Sequence, residues 1–361
     1  MEQISPPLAG IRLLKLMCPS LFDFSLYNNG EGWKKLAQGQ YGIVYECQTK
    51  LARPQSVAIK QMSLPQSISD RCVLHDIFTE ITCLEEFRLE PCVTDLFDYG
   101  VDRTSYYIVM KRYSGSLREW RLRQKPNMME NLSLYLSIYK EVLKAFKIIQ
   151  SHNVTHYDIK CDNILIDFKN SNDGLAPTGS NHNQLGLHET AFDSKQISQD
   201  DFTITVGDFG TCHMYFSDKD EFLVSDRGTP NIKSPEMIEL ELNKRTDHDK
   251  HDRRKRVGTS RLSDVWSLGC LFYELLTGEM LFDADEYAWF FVRLTKTQLD
   301  LFEEGRLDKI NNNVYLIDFL KYILVRDPRL RPTIDNVLKR FEHVYALLVA
   351  TSSGHARFNR L

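Results

Sequence analysis

The chain has 361 residues, 42% hydrophobic and 26% charged, with 45 Lys and Arg against 49 Asp and Glu for a formal charge of −4. That length predicts about two domains or one large bilobal unit with a buried core, and the near-neutral charge argues against a dedicated nucleic-acid binder. No apolar run reaches the ~20 residues of a membrane span, and eight cysteines without a Cys-x-x-Cys pair predict reduced, mostly buried thiols in the cytoplasm or nucleus.

Residues 1–28 read as an irregular lead-in carrying Pro6, Pro7 and Pro19. From Trp33 to Tyr107 short apolar or alternating runs predict strands, as in Ile43-Val44-Tyr45 and Val57-Ala58-Ile59. One helix interrupts them near 74–88, where Ile77, Phe78, Ile81 and Leu84 recur at helical spacing. After residue 113 the pattern turns helical. Residues 131–151 repeat apolar positions for about six turns. Residues 263–278 open on Ser263 and Asp264 as capping residues, close at Gly278 and are apolar nearly all round, which predicts a central helix. Amphipathic stretches follow at 286–301, 314–325 and 333–348. The expectation is an α+β chain of two lobes, a small β-rich one over 29–112 and a larger, mostly helical one over 113–350, followed by a tail at 351–361. Little room is left beside them for a second folded module.

Two stretches depart from the packed pattern. Residues 168–201 are rich in Asn, Ser, Gly, Gln and Asp and read as a disordered surface insertion, either a tolerated loop or a regulatory segment. Residues 244–261 carry eight Lys and Arg against three Asp, a local charge of +5. They read as a solvated loop, or as a nuclear import signal or docking site for an acidic partner.

The chemistry begins at Leu36, Gly39, Gly42 and Val44, a glycine-bearing hairpin whose backbone N–H groups can approach phosphate oxygens. Sixteen residues after Val44, Val57-Ala58-Ile59 ends in Lys60, a cation on an apolar strand that should meet an anion. Glu80 on the first helix is the expected partner, with Glu85 and Glu86 as competitors. Further on, Asp158, Lys160 and Asn163 lie within six residues, and Asp208 follows in Gly207-Asp208-Phe209-Gly210. Together they supply what phosphoryl transfer requires: a group to orient a hydroxyl, a cation near the transferred phosphate, and two oxygen ligands for Mg²⁺.

On these motifs the chain resembles the eukaryotic protein kinase family over about residues 33–348. Gly228-Thr229-Pro230, Ser234-Pro235-Glu236, Asp264-Val265-Trp266 and Asp327 through Arg331 agree with it. The resemblance implies ATP and Mg²⁺ as cofactors and a protein substrate with a Ser or Thr acceptor; on composition and charge, neither membrane nor nucleic acid is expected as partner. Lys60, braced by Glu80, would hold the α/β-phosphates; Asp158 would orient the substrate hydroxyl; Lys160 would stabilise the γ-phosphate; Asn163 and Asp208 would bind Mg²⁺. Leu36, Gly39 and Gly42 would cover the nucleotide, and Val44, Ala58 and Leu165 would sandwich its base. Met110 matches the gatekeeper, Lys111 to Tyr113 the hinge, and Glu236 and Arg331 a structural ion pair. Lys160 and Thr229 place the chain nearer the serine/threonine branch than the tyrosine branch.

Three features depart from the family pattern. Tyr157 stands where the family has an Arg that contacts a phosphorylated activation segment, which predicts activity independent of phosphorylation at Thr211, Ser217 or Ser225. Ala37 replaces the first glycine of the loop. Cys161 and Cys212 flank the site motifs and read as buried, inert thiols or as redox sensors. Alternatives to an active enzyme are a nucleotide-binding pseudokinase scaffold and, on the thin basis of 244–261, a nucleic-acid module.

Overall fold

The computed structural model describes residues 21–39, 42–64, 71–124, 128–168, 202–215, 228–246, 258–282, 287–296, 298–302 and 305–358. Of the 168–201 stretch only Phe168 falls within these. Residues 247–257 of the basic stretch, and Ser217 and Ser225, lie outside them.

Five described strands form the antiparallel sheet of the first lobe: β1 (Lys34–Gln38), β2 (Ile43–Gln48), β3 (Ser56–Ser63), β4 (Leu96–Val101) and β5 (Ser105–Lys111), in the order β1-β2-β3-β5-β4. Helix α1 (Arg71–Glu86) lies between β3 and β4 in sequence. Strand alternation divides the sheet's side chains between two cores. Val57 and Ile59 of β3 point to one face with Tyr107 and Val109 of β5. Met62 joins Tyr106, Ile108 and Met110 on the other, against Ile77, Ile81 and Leu84 of α1.

The outer face explains a difference from the sequence expectation. Starting in the stretch read as irregular and running two residues past it, Phe24–Gly30 forms a 3₁₀ turn capped by Asp23, and Phe22 and Tyr27 are buried. Phe22 stacks on Tyr107 at 4.5 Å and on Tyr27 at 5.1 Å, while the Tyr27 hydroxyl donates to Asp98 at 3.0 Å. These aromatics cover apolar strand residues that would otherwise face water.

The second lobe carries α2 (Leu117–Leu122), α3 (Leu132–Ser151), α4 (Pro235–Thr246), α5 (Arg261–Thr277), α6 (Tyr287–Thr295), α7 (Val314–Ile323) and α8 (Ile334–Phe358). Helix α5 is buried at every position from Ser263 to Leu276, as its apolar character predicts. Its start is earlier than expected: Ser260 is the N-cap, accepting from Leu262 N, and Ser263 is the third residue inside. Tyr139, Phe272, Phe319 and Phe341 bring α3, α5, α7 and α8 together in edge-on and tilted ring contacts. Gly269 is required at the crossing, because a Cβ there would sit 2.7 Å from Leu324. Helix α8 continues to Phe358, into the stretch expected to be a tail. Among the described residues no helix is long and apolar enough to cross a membrane.

Between the lobes run short pairings that hold two loops side by side. β6 (Gly115–Ser116), β8 (Ile164–Phe168) and β9 (Phe202–Val206) form one small sheet, and β7 (Val154–Thr155) pairs with β10 (His213–Met214). β8 and β9 stay in register from Ile164↔Val206 to Phe168↔Phe202. The intervening stretch therefore starts and ends on paired neighbours, and loops 156–163 and 207–212 keep their places.

Candidate active site

The cleft-facing side of the first lobe is set by register. Val44 lies opposite Lys60, and Ala58 opposite Met110. The two glycines of the hairpin have different reasons to be glycine. A Cβ on Gly42 would stand 2.2 Å from the Gln61 carbonyl, so this residue is needed for strand packing; around Gly39 the space is open. Gly39 N donates to Gly42 O at 2.9 Å, while Gln40 and Tyr41 lie outside the described residues. Ala37 and Leu36 belong to β1, and Ala37 pairs with Val44 beyond a register shift, so an alanine is accommodated as a strand residue.

Lys60 ends up between two carboxylates. Its Nζ donates to Glu80 at 2.7 and 2.9 Å and to Asp208 Oδ1 at 2.7 Å. Glu85 and Glu86, the competing partners, lie elsewhere: Glu85 meets Arg88, and Glu86 meets His152. Burial works against the Lys60 charge, but Asp208 and Glu80 outweigh it and hold the ammonium above its ordinary pKa. The same ammonium holds Asp208 below the usual carboxylate range against the effect of burial. Burial pushes Glu80 upward, countered by Lys60.

Asp208 sits at φ +60°, in the left-handed region, at the entry to the 3₁₀ turn Phe209–Thr211. Phe209 packs its ring against His156 at 5.0 Å and Phe87 at 5.7 Å, which anchors the turn from below.

The loop carrying Asp158 is fixed from beneath by α5. Asp264 accepts from His156 N at 2.7 Å and Tyr157 N at 2.8 Å. Desolvation of this buried carboxyl raises its pKa to about 7. His156 lies 3.1 Å from Gly207 O through Nε2, and burial depresses its pKa, keeping the ring neutral. Asp158 then gathers the remaining polar groups. Lys160 Nζ donates to Oδ2 at 2.9 Å and to Thr229 Oγ1 at 2.6 Å. Asn163 Nδ2 donates to Asp158 Oδ2 at 2.9 Å and to its carbonyl at 2.8 Å. Thr229 donates through N and Oγ1 to Asp158 Oδ1 at 2.9 and 2.7 Å. Gly228 makes this approach possible: at φ +80°, a Cβ there would be 2.1 Å from Tyr157 O.

Other anchors escape the sequence reading. Asp167, at the end of β8, accepts from Ser114 N and Oγ at 2.7 and 2.8 Å and lies 3.6 Å from Lys111 Nζ, bracing the segment that carries Lys111 and Tyr113. The hydroxyl of the buried Tyr113 accepts from Asp95 N at 3.4 Å. Glu274 of α5 accepts from Cys161 N at 3.2 Å and from Arg118 at 2.5 Å. Cys161 itself is buried, and burial beside Glu274 pushes its thiol well above the usual range. Only the apolar-to-polar switch at Asp167 and the charge of Glu274 inside the apolar α5 hint at these roles in the sequence. The expected Glu236–Arg331 ion pair is present, bidentate at 2.8 and 2.9 Å and buried on both sides.

The oxygen donors suit a hard cation. Asn163 commits its amide N–H₂ to Asp158, which turns Oδ1 into its available atom, and Asp208 adds a carboxylate. Leu165, facing this region from β8, lies opposite Thr205 and beside Gly207, where a Cβ would come within 3.5 Å of its side chain.

Residues 31–342 match the protein kinase domain family. The chain is 39% identical over 330 residues to a probable serine/threonine-protein kinase of Dictyostelium discoideum, covering 91% of this chain and 13% of that protein. It is 26% identical over 305 residues to calcium-dependent protein kinase 2 of Arabidopsis thaliana, covering 84% and 39%. Identity to serine/threonine-protein kinase RAD53 of Saccharomyces cerevisiae is 24% over 311 residues, covering 86% and 32%. The chain thus spans well under half of each of these relatives. With the match running through both lobes, the chain belongs to the eukaryotic protein kinase family, in its serine/threonine branch.

Proposed function

We propose that this domain transfers the γ-phosphate of Mg-ATP to Ser or Thr hydroxyls of protein substrates. The observation that carries the reading is the position of Lys60, bound at once to Glu80 of its own lobe and Asp208 of the other, above a loop that presents Asp158. In this reading Lys60 holds the α/β-phosphates and Glu80 keeps it in place. Asp158, accepting from Thr229 and Asn163, is aimed to accept the proton of the attacking hydroxyl. Lys160, between Asp158 and Thr229, offsets charge on the transferred group and lets Thr229 position the acceptor. Asn163 and Asp208 would hold Mg²⁺, which supplies charge neutralisation on the phosphates. Val44, Ala58 and Leu165 enclose the base, with Met110 behind it, Lys111 and Tyr113 at its polar edge, and Leu36, Gly39 and Gly42 above.

Phosphorylation of the activation segment is not needed in this reading. Tyr157 is buried, with its hydroxyl 3.0 Å from both Tyr215 and Thr259, and Tyr215 also accepts from Thr155 at 3.1 Å. Neutral hydroxyls occupy the place where a phosphate-binding cation would be required.

The test is phosphate transfer from labelled ATP with Mg²⁺ to a generic Ser/Thr substrate, using wild type, Lys60→Met and Asp158→Asn, with and without phosphatase pretreatment. Transfer by wild type alone, surviving the phosphatase, is the expected outcome. Nucleotide binding without any transfer would identify a pseudokinase scaffold, and phosphatase-sensitive transfer would refute the independence.

A further inference from the structure

Cys83 and Cys212 come from opposite sides of the cleft and meet beneath it. Cys83 lies one helical turn beyond Glu80 on α1, and Cys212 four residues beyond Asp208 at the end of the 3₁₀ turn. Both are fully buried, and their Sγ atoms are 2.8 Å apart. The backbone on each side is fixed: Phe87 N donates to Cys83 O at 2.9 Å, Cys212 N donates to Phe209 O at 3.2 Å, and β10 begins at the next residue. A disulfide bond of ~2.05 Å is within about 1 Å of this separation, so a short approach of the two sulfurs closes it.

We propose that Cys83 and Cys212 form a redox modification site, a dithiol that a hydroperoxide closes to a disulfide, tying the Glu80 helix to the Asp208 turn. One thiolate attacks the peroxide, breaking the O–O bond; that sulfur is oxidised to the sulfenic acid, and the leaving hydroxide takes up a proton as water. The second thiol attacks the sulfenic sulfur, forming the S–S bond and releasing a second water. The net change is two thiols and one H₂O₂ to one disulfide and two waters. The first step is slow because both sulfurs are buried and the peroxide must reach them through packed side chains. The second is unimolecular between sulfurs already in contact.

The consequence for the cleft rests on the kinase reading, while the bond itself does not. Because Lys60 already holds Glu80 and Asp208, the cross-link fixes the assembled arrangement and leaves Lys60, Asp158 and Asn163 untouched. Oxidised protein therefore keeps its transfer activity and melts at a higher temperature than reduced protein.

The 361-residue chain is treated with hydrogen peroxide, its remaining thiols are alkylated, and it is digested without reductant. A peptide joining Cys83 to Cys212, two hydrogens lighter than its parts and released by dithiothreitol, is the expected product. Mapping needs no variant, so it stands even if Cys83→Ser or Cys212→Ser folds poorly; where either folds, the peroxide-induced rise in melting temperature is absent. No Cys83–Cys212 peptide, or a different pairing among the eight cysteines, overturns the site. A mapped bond with loss of phosphate transfer overturns the locking consequence alone, and absence of transfer in reduced protein bears on the kinase reading instead.

Discussion

The phenol of Tyr157 is 1% exposed, and the residue holds φ +64°, a backbone conformation that a bulky side chain adopts only under constraint. The constraint is visible: Asp264 takes its N–H, Gly228 packs against its carbonyl, and Tyr215 and Thr259 take its hydroxyl. The side chain thus ties Tyr215, beyond the Asp208 turn, to Thr259, the residue before the Ser260 cap of α5, with neutral hydroxyls and no phosphate. Tyr157→Phe takes their shared partner from the buried Thr259 hydroxyl and the half-buried Tyr215 hydroxyl, and is expected to cost about 1–2 kcal/mol in urea unfolding. Tyr157→Arg is expected to cost roughly 3 kcal/mol or more, because a guanidinium enters a pocket lined by hydroxyls. A stabilised Arg variant, or one whose activity becomes dependent on phosphorylation, would show that the pocket still serves as a phosphate site.

At the scale of elements, α5 acts as the post to which the loop carrying Asp158 and the segment carrying Glu236 are bolted. Asp264 holds the loop, Glu274 holds Cys161 N, and Ser263 donates to Glu236, which in turn pairs with Arg331. Arg331 keeps Glu236 ionised below its ordinary 4.5 in spite of burial. A carboxyl with a depressed folded-state pKa stabilises fully above its unfolded value, and that contribution disappears as pH falls through the folded value. Glu236→Ala is therefore expected to cost ~3–5 kcal/mol at pH 7, with the deficit narrowing as pH falls below the ordinary 4.5 and the wild type also loses the pair. Urea unfolding of both proteins across that range checks it; a deficit constant with pH would assign the loss to packing. The Glu236–Arg331 pair is implied by the family resemblance of two spaced motifs, and the existence of α5 is legible in the sequence, since an all-apolar run carries it. Its true cap is not, because Ser260 and Ser263 are equally good N-cap residues and only the structure shows which lies outside the helix. The aromatic cover made by Phe22 and Tyr27 is equally silent: its partner Tyr107 lies far along the chain, and isolated aromatics have no periodicity to read.

For the whole molecule the question is what joins the lobes. At the rear, Thr94 donates through N and Oγ1 to Val206 O, both at 3.0 Å, and Val206 N donates to Cys92 O at 2.8 Å. This parallel contact joins segments 112 residues apart and leaves no local signature, whereas Lys60, Asp158 and Asp208 announce the cleft by residue type and order. At the front, the Lys60–Asp208 pair crosses the cleft, and the glycine hairpin has open space around Gly39. A nucleotide entering there would add contacts to both lobes, so its binding free energy should appear as stability of the pair, about 2.7 kcal/mol at a concentration 100 times its Kd. Mg²⁺ should add to this through Asn163 and Asp208, by relieving phosphate charge against Asp208. Thermal unfolding is therefore expected to show a larger rise with ATP and Mg²⁺ than with ATP alone in the wild type. Asp208→Asn should keep the smaller rise and lose most of the metal-dependent increment. Equal shifts with and without Mg²⁺ in the wild type would remove Asn163 and Asp208 from the metal-binding role. A metal increment that survives Asp208→Asn intact would instead place the cation on other oxygens, and Lys60 would then be the reason Asp208 is held where it is.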